Sequence, residues 1–333
     1  MFENHTKNQH FISQVEQKQN SINPLAEREK RKIYEFEILD REQHFFKLTN
    51  KTGVKIEKNL SINDLYTFNI LSDSTRINFE FFFNKFERKI EALTSNLQRK
   101  VKSKEDIDEQ EIIDLVSAKF LNFLRNPFSI KKVLNSFHPL QNLIPTDESL
   151  LREFRKINSN NIHISPEYLD RLDVSIEQYL NWLRTIFIAL TVQMYGKSIA
   201  EYLVDGLFDP KSKVIVLVLN IYDSQTCLLS DRGYVDYGAL YDNKPFAMGF
   251  NLNKNMFLSV VIKNNSLDEF IKEYPFLKQK LDYLKEKGQS RFHQTGIDLT
   301  VFNNNIELLK AYNSNVMFQC KNNFYSATCD FEY

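Results

Sequence analysis

Hydrophobic and polar positions along this chain change their period twice. Near the N-terminus, apolar residues alternate with polar ones over 32–38, and the strand-like segment 44–48 could pair with it across a polar turn, which predicts a half-buried β-hairpin. From about Arg76 the apolar spacing becomes three or four residues, which predicts helices. From Lys213 onward, β-branched apolar runs return. We therefore expect strands at both ends of the chain and helices between them.

The middle of the chain is predicted to be helical. Apolar residues between Phe79 and Leu97 fall on one helical face, and we interpret this stripe as core, because residues that stack on nucleic-acid bases usually lie on sheets or loops. A following helix is expected to stop at Asn126-Pro127. The longest helix is expected to begin at Ser175, its N-cap, and to run toward Tyr202.

The C-terminal third is predicted to mix strands and helices. A central strand buried on both faces is expected over Val214–Leu219, because every residue there is apolar. Ser266 and Glu269 predict a capping box that opens a helix. The remaining expected elements are strands at Cys227–Leu229 and Phe257–Ile262, a last helix from about Leu299 to Tyr312, and short strands near Val316–Phe318 and Phe324–Ser326.

These elements predict an α+β fold, in which terminal β regions form a small mixed or antiparallel sheet around a large helical middle. We expect three segments: an N-terminal β-containing segment over 1–75, a helical region over 76–210, and a C-terminal α+β region over 211–333. The first and third segments are expected to form one compact domain together.

Composition limits the classes of binding partner and the cellular compartment that we expect for this protein. The chain has 333 residues and 42% hydrophobic composition, enough to bury a sizeable core. Lys+Arg and Asp+Glu each total 43, which argues against tail-driven nucleic-acid binding but leaves room for a local basic patch. Cys227, Cys320 and Cys329 fit neither a disulfide framework nor a zinc site. With no secretory signal visible, and with the apolar stretch 182–195 too short to span a bilayer, we expect a cytoplasmic protein with no membrane partner.

Three short motifs carry a resemblance to a known family. The segment Gln9-His10-Phe11-Ile12-Ser13-Gln14 resembles the His-Tyr-Val-Pro-Gln start of the bacterial family called domain of unknown function 4238, with Ser13 in place of Pro. Leu229-Ser230-Asp231-Arg232-Gly233 keeps the Ser-Asp of the family's strand-end motif and lacks its Asn-Pro. Asn304 and Ala311 resemble its C-terminal Asn and Ala. The resemblance implies a setting among phage-defence genes, where nuclease or toxin activity is suspected.

The side chains of these motifs form the predicted catalytic site. His10 can ligate a metal or accept a proton, and Asp231 at a strand end could fix its tautomer. Gln14 falls four residues after His10, so a helix there would place both on one face. Together with Asn304, His10 and Asp231 could ligate a divalent metal or position a water on a phosphodiester. In the alternative interpretation, His10 packs against the core and Asp231 makes an Asx turn.

A second group of residues is predicted to bind phosphate or another ligand. It contains Ser230, Arg232, Arg291 and His293, of which the two arginines could contact phosphate. The alternative is that these are polar groups of surface loops. The chain has no Walker loop, GxGxxG, HExxH or GxSxG, so P-loop hydrolysis, dinucleotide redox chemistry and zincin proteolysis are unsupported.

Three function hypotheses follow. The first is a phage-defence or toxin-type effector, a nuclease that hydrolyses phosphodiesters of nucleic acid with the help of a metal or His10. The second is a non-enzymatic module whose helical middle binds a phage or host protein. The third is a sensor that binds a small ligand in a cleft.

Overall fold

The structure, a computed structural model, describes residues 2–72, 74–161, 163–209, 213–238, 246–263, 289–292 and 297–333. Its helices and strands confirm the α+β class. Contacts between Cα atoms divide the chain into two compact units. The first unit contains Met1–Ser13, Lys58–Leu93 and Asp114–Val204, and the second contains Gln14–Glu57, Thr94–Ile113 and Asp205–Tyr333. The predicted segment boundaries at 75 and 210 stay a prediction.

Strands occur near both ends of the chain, and the last of them follows the final helix. In chain order they are β1 (Glu3–Asn4), β2 (Asn8–His10), β3 (Lys32–Asp40), β4 (Phe45–Leu48), β5 (Val54–Lys55), β6 (Ser61–Asn63), β7 (Asn69–Ser72), β8 (Thr75–Ile77), β9 (Gln193–Met194), β10 (Lys197–Ser198), β11 (Val214–Ile221), β12 (Leu229–Ser230), β13 (Val235–Gly238), β14 (Phe246–Asn253), β15 (Met256–Lys263), β16 (Gln289–Phe292), β17 (Ile297–Asn303) and β18 (Asn323–Ser326).

Helices fill most of the middle of the chain. The α-helices of the part that the structure describes are α1 (Gln14–Gln19), α2 (Glu80–Ser103), α3 (Glu109–Arg125), α4 (Ile130–Ser136), α5 (Glu148–Phe154), α6 (Pro166–Leu172), α7 (Ile176–Thr191), α8 (Ile199–Leu207) and α9 (Ile306–Gln319). Short 3-10 turns lie at Arg28–Lys30, Ile56–Lys58, Pro127–Ser129, His138–Asn142 and Ser159–Asn161. Across the described ranges, no helix is both long enough and apolar enough to cross a membrane.

The first unit surrounds an aromatic core. Its strands form a sheet in the order β1-β8-β7, a β2–β6 pair and a β9–β10 hairpin. Phe79, which directly precedes α2, and Phe83 of α2 belong to the predicted apolar stripe and are completely buried, so the interpretation of this stripe as core is confirmed. Trp182 of α7 is also completely buried, and its indole N–H donates to the carbonyl oxygen of Leu124 at 2.8 Å. That bond satisfies the polar atom that burial would otherwise leave unpaired.

The prediction for the Ser175 helix was right at its start and wrong at its end. Ser175 caps α7 in a full capping box with Gln178. The helix ends at Thr191 rather than near Tyr202, because the β9–β10 hairpin intervenes. Its turn residues Tyr195 and Gly196 have φ values of 52° and 80°. A helix cannot continue through two left-handed residues, although α8 resumes the apolar spacing beyond them.

The described residues of the second unit form two sheets. The six-stranded sheet has the order β13-β14-β15-β11-β17-β16, in which β11 runs antiparallel to β15 and parallel to β17. The central position predicted for Val214–Leu219 is therefore confirmed. The other sheet has the antiparallel order β12-β18-β3-β4, with β5 also paired to β3, and it contains the predicted N-terminal hairpin. Phe36 of β3, Phe257 of β15 and Tyr312 of α9 belong to one core cluster, so α9 packs against both sheets.

Two predictions for the C-terminal region were wrong, and one predicted strand is displaced. Residues 299–303 of the predicted helix from Leu299 to Tyr312 belong to strand β17, which pairs with β11, and helix α9 starts only at Ile306, where Asn305 accepts a hydrogen bond from the Leu308 N–H. The predicted strand at Val316–Phe318 lies inside α9. The strand predicted at Cys227–Leu229 is present as the short β12, Leu229–Ser230, which begins two residues later than predicted. The predicted Ser266–Glu269 capping box lies outside the described residues.

Gly53 provides a test of how tightly the turn before β5 is packed. Its φ is 74°, and a Cβ there would lie 2.7 Å from Ile22 Cδ1 and 2.9 Å from the carbonyl oxygen of Ile33. Gly196 has a φ of 80° and no atom within 4 Å of its Cβ position, so it controls for backbone strain alone. We expect Gly53→Ala to lower the melting temperature by about 5 °C or more and Gly196→Ala by about 2 °C. Equal losses in the two variants would contradict the packing at Gly53.

Candidate functional site

Asp231, the predicted catalytic carboxylate, is hydrogen-bonded to backbone N–H groups. It is 2% exposed, and its two oxygens accept hydrogen bonds from the N–H groups of Lys321 at 2.7 Å, Asn322 at 2.7 Å and Asn323 at 3.0 Å. Burial raises the pKa of the Asp231 carboxyl, whereas the three N–H donors and the Arg232 guanidinium lower it. The carboxylate thus fixes the chain segment that joins α9 to β18.

Arg41 binds the backbone carbonyl groups of the same segment. Its guanidinium donates to the backbone oxygens of Phe318, Cys320 and Lys321, at the C-terminal end of α9. The last carbonyls of a helix lack partners within the helix and carry partial negative charge, so a cation there is favourable. Residues 318–323 are therefore bound by a guanidinium on their carbonyls and by a carboxylate on their N–H groups. We call residues 318–323 the clamped segment.

Ser230 and Arg232 form the turn that carries Asp231. The Ser230 hydroxyl oxygen accepts from the Arg232 N–H at 3.1 Å, and the Ser230 carbonyl accepts from the N–H of Gly233, whose φ is 76°. Ser230 is 2% exposed, and Arg232 is half-buried. These contacts make the Ser-Asp motif a structural turn that delivers a carboxylate into the protein interior.

Asn304 closes the turn between β17 and α9. Its φ is 56°, a left-handed conformation that Asn tolerates better than most residues. Its side-chain oxygen accepts from the Asp223 N–H at 3.0 Å, and its amide donates to the Asp223 carboxylate at 2.7 Å. Its backbone N–H donates to the carbonyl oxygen of Ile221, the last residue of β11. Asn304 therefore fastens together the C-terminal ends of the parallel strands β11 and β17.

His10 and Gln14 lie on either side of a unit boundary. His10 ends β2 in the first unit, is half-buried, and pairs with Ser61 of β6. Gln14 begins α1 in the second unit, and its side-chain oxygen accepts from the Arg28 guanidinium at 2.9 Å. The predicted helix that would carry both residues is therefore wrong, because His10 lies on a strand. The proposal that His10 acts with Asp231 and Asn304 stays a prediction.

Gln9 is a structural residue that the sequence interpretation passed over. It is completely buried, its amide donates to the Thr67 hydroxyl at 2.9 Å, and its carbonyl oxygen accepts from the Tyr66 N–H. The alternation of β2 places the side chain of Gln9 on the opposite side from that of its neighbour His10. A polar residue next to the His was the available signal, but the sequence does not reveal which of the two faces inward.

The predicted divalent metal does not fit the surroundings of Asp231. Its two oxygens accept three backbone N–H hydrogen bonds, which occupy most of the roughly four lone-pair sites of a carboxylate. Within the described ranges, no three His, Cys, Asp or Glu side chains are grouped so that they could hold a metal ion. Of the predicted ligand-binding residues, Arg291 pairs with Leu299 in the β16–β17 register, and His293 lies outside the described residues.

A cavity of about 360 Å³ lies in the second unit, near the Asn304 turn. Lys104, Glu105 and Asn303 are exposed and form its rim, whereas its apolar lining is partly or fully buried. Strands β11 and β17 supply one wall and the end of α2 with the following loop supplies the other. The lining residues are Lys100, Val101, Lys104, Glu105, Ile107, Ile221, Leu299, Val301 and Asn303.

The first unit has a buried charged group that sequence interpretation missed. Arg125, at the end of α3, is 1% exposed and donates to the Glu87 carboxylate at 2.7 Å, and its guanidinium lies 5.3 Å from the centre of the Phe83 ring. Burial and, to a smaller extent, the charge of Glu87 raise the pKa of Glu80 to about 7, with Arg125 opposing both effects. The sequence signal for this buried group was a charged residue, Arg125, at the apolar end of a predicted helix.

No protein-family model, no curated protein and no solved structure matches this chain.

The hydrogen bonds between Asp231 and the clamped segment predict how removal of the Asp231 charge affects stability. Asp231→Asn keeps one acceptor oxygen but places an NH₂ group against backbone N–H donors, so we expect the free energy of unfolding to fall by about 2–4 kcal/mol. Asp330→Asn, at an exposed position, controls for the loss of one acidic charge. Thermal and urea unfolding measure both variants. Equal stability of Asp231→Asn and the wild type would contradict the structural role of this carboxylate.

Glu80 predicts a pH dependence of stability. Its folded-state pKa of about 7 lies above its ordinary value of 4.5, so the folded protein keeps the proton while the unfolded chain releases it. This contribution to stability is fully present below pH 4.5 and is lost as pH rises through 7. At pH 8 we expect Glu80→Gln to be more stable than the wild type by roughly 2–3 kcal/mol.

The matched control is Glu148→Gln, because Glu148 is also the first residue of a helix but is exposed. Urea unfolding at pH 5, 6, 7 and 8 measures the difference between each variant and the wild type. The difference for Glu80→Gln is expected to grow with pH and that for Glu148→Gln to stay constant. A constant difference for Glu80→Gln would show that its carboxyl is not held in an unfavourable environment.

Proposed function

We propose that this chain is a non-enzymatic sensor module whose recognition site is the cavity of the second unit. The observation that carries the proposal is the position of this cavity beside Ile221 and Asn303, the last residues of the parallel strands β11 and β17. In open α/β sheets, ligands bind in the crevice at the carboxyl ends of parallel strands, and among the described residues β11 and β17 are the one parallel pair of this sheet. The volume of about 360 Å³ also falls within the range of about 300–1,000 Å³ for small-molecule sites.

The walls of the cavity support a sensor role. Val101, at the end of α2, and Ile107, in the following loop, face a sheet wall that includes Leu299 and Val301. A molecule between the two walls would contact both, so it would stabilise the arrangement in which they are close. Binding energy that differs between two arrangements shifts their populations, which is what a sensor requires.

The sensor role has support that the hydrolase hypothesis lacks. The predicted catalytic residues Asp231 and Asn304 make hydrogen bonds that fix chain segments, so an effect of their substitution on activity would not separate chemistry from folding. The resemblance to domain of unknown function 4238 supports a role in bacterial phage defence. We propose a cytoplasmic sensor in such a system, and the hydrolysis of nucleic acid stays a prediction.

Binding of 1-anilinonaphthalene-8-sulfonate tests the proposal, because this dye joins an apolar body to one anionic group and becomes fluorescent in apolar sites. We expect saturable binding and a rise in melting temperature. Ile107→Trp fills the cavity from a loop, and we expect it to weaken dye binding at least about tenfold. Val301→Trp fills it from the sheet and provides a second variant with the same expected result.

Ile144→Trp is the control for these variants, because Ile144 is 65% exposed, lies outside the cavity and receives the same indole ring. Its dye affinity is expected to match that of the wild type. Dye affinity that is unchanged in both cavity-filling variants would mean that the dye binds elsewhere, and the proposed recognition site would be wrong.

A further inference from the structure

Some of the charged side chains that line the cavity already form ion pairs or hydrogen bonds with other side chains, and others do not. Lys100 donates to the Glu111 carboxylate at 2.7 Å. Glu105 accepts from the Arg99 guanidinium at 2.5 Å, and this bond, with one from the Ser103 hydroxyl, lowers the pKa of its carboxyl, so Glu105 is a carboxylate at neutral pH. Two of the charged groups that line the cavity are therefore already engaged by side chains of α2 and α3.

Lys104 and Asn303 form the part of the rim that can receive a ligand. In the part of the chain that the structure describes, neither side chain makes a hydrogen bond to another residue. The Lys104 ammonium has three N–H donors and no acceptor, and the Asn303 amide adds two donors and one acceptor oxygen. The Glu105 carboxylate of the rim is already paired with Arg99. The groups of the rim that lack partners thus offer one positive charge and more donors than acceptors.

This set of groups discriminates between classes of ligand. A cation would face the ammonium group of Lys104, and like charges repel. A neutral apolar molecule would contact the apolar walls of the cavity but would leave the donors of the rim without an acceptor. A phosphate carries about two negative charges, which one ammonium does not balance, whereas a carboxylate carries one charge and two acceptor oxygens.

We propose that the cavity binds a small monocarboxylate with an apolar chain. The carboxylate contacts the Lys104 ammonium and the Asn303 amide, and the chain lies between the apolar walls formed by residues such as Ile107 and Val301. This assignment rests on the proposed sensor function, because it names the ligand class of the same cavity. Since about 360 Å³ is at the lower end of the range for small-molecule sites, a chain of medium length fits best.

Asn304 orders the strand end that carries Asn303. Its side chain hydrogen-bonds both the backbone and the carboxylate of Asp223, so it fixes the part of the rim at which the carboxylate of a ligand would bind. A negative charge placed at the rim itself should therefore weaken binding strongly. Asn303→Asp introduces such a charge at an exposed strand end, where it is expected to leave folding intact.

The test is titration of the full chain with sodium octanoate, followed by isothermal calorimetry and by displacement of 1-anilinonaphthalene-8-sulfonate. Octanoate is expected to bind and to displace the dye, whereas acetate, octylamine and octyl phosphate bind at least about tenfold more weakly. Lys104→Gln and Asn303→Asp are each expected to lower octanoate affinity about tenfold or more. Lys102→Gln is the control, because Lys102 is an exposed lysine of the same helix end that does not line the cavity.

The outcomes separate this inference from the function on which it rests. Dye binding that the cavity-filling variants remove, together with no octanoate binding, would overturn the ligand class and leave the recognition site standing. Equal or tighter binding of octylamine or octyl phosphate would overturn it as well. Octanoate binding that Lys104→Gln and Lys102→Gln weaken equally would contradict the assigned role of Lys104.

Discussion

The carboxylate of Asp231 and the guanidinium of Arg41 bind the N–H groups and the carbonyl groups, respectively, of one short stretch of backbone, and the connection between α9 and β18 depends on these bonds. The clamped segment leads from the end of α9 into β18, whose residue Phe324 stacks on Phe36 at 5.1 Å within the core. Taking a carboxylate out of water is costly, and three charge-assisted N–H bonds offset that cost only if the segment keeps one conformation. The two charged residues therefore specify a single path for the chain.

The parallel pairing of β11 with β17 is the second organising feature. Parallel neighbours end at the same edge of a sheet, so their last residues, Ile221 and Asn303, lie side by side. The left-handed turn at Asn304 then directs the chain into α9 and fastens both strand ends through Asp223. The cavity borders this edge, and the same hydrogen bonds that complete the fold also shape one side of the proposed binding site.

In the first unit, polar groups are buried at the centre of an aromatic core. Arg125 combines an ion pair with Glu87, contact with the Phe83 ring and a carbonyl oxygen that accepts from the Tyr66 hydroxyl at 2.8 Å. Such a guanidinium tolerates burial because its charge is paired and its flat face packs on an aromatic ring. Glu80, with a raised pKa, lacks comparable compensation, so the charges of this region leave it sensitive to pH.

The sequence by itself determined the fold class, the hairpin of β3 and β4, the buried stripe of α2, the capping of α7 and the central strand β11, because local spacing and capping residues express these features directly. It did not determine that Leu299 lies on a strand, since only pairing with β11 makes that segment extended. Nor did it determine the surroundings of Asp231. A side chain that binds backbone N–H groups ninety residues away acquires its role from the tertiary structure, and no local pattern records it.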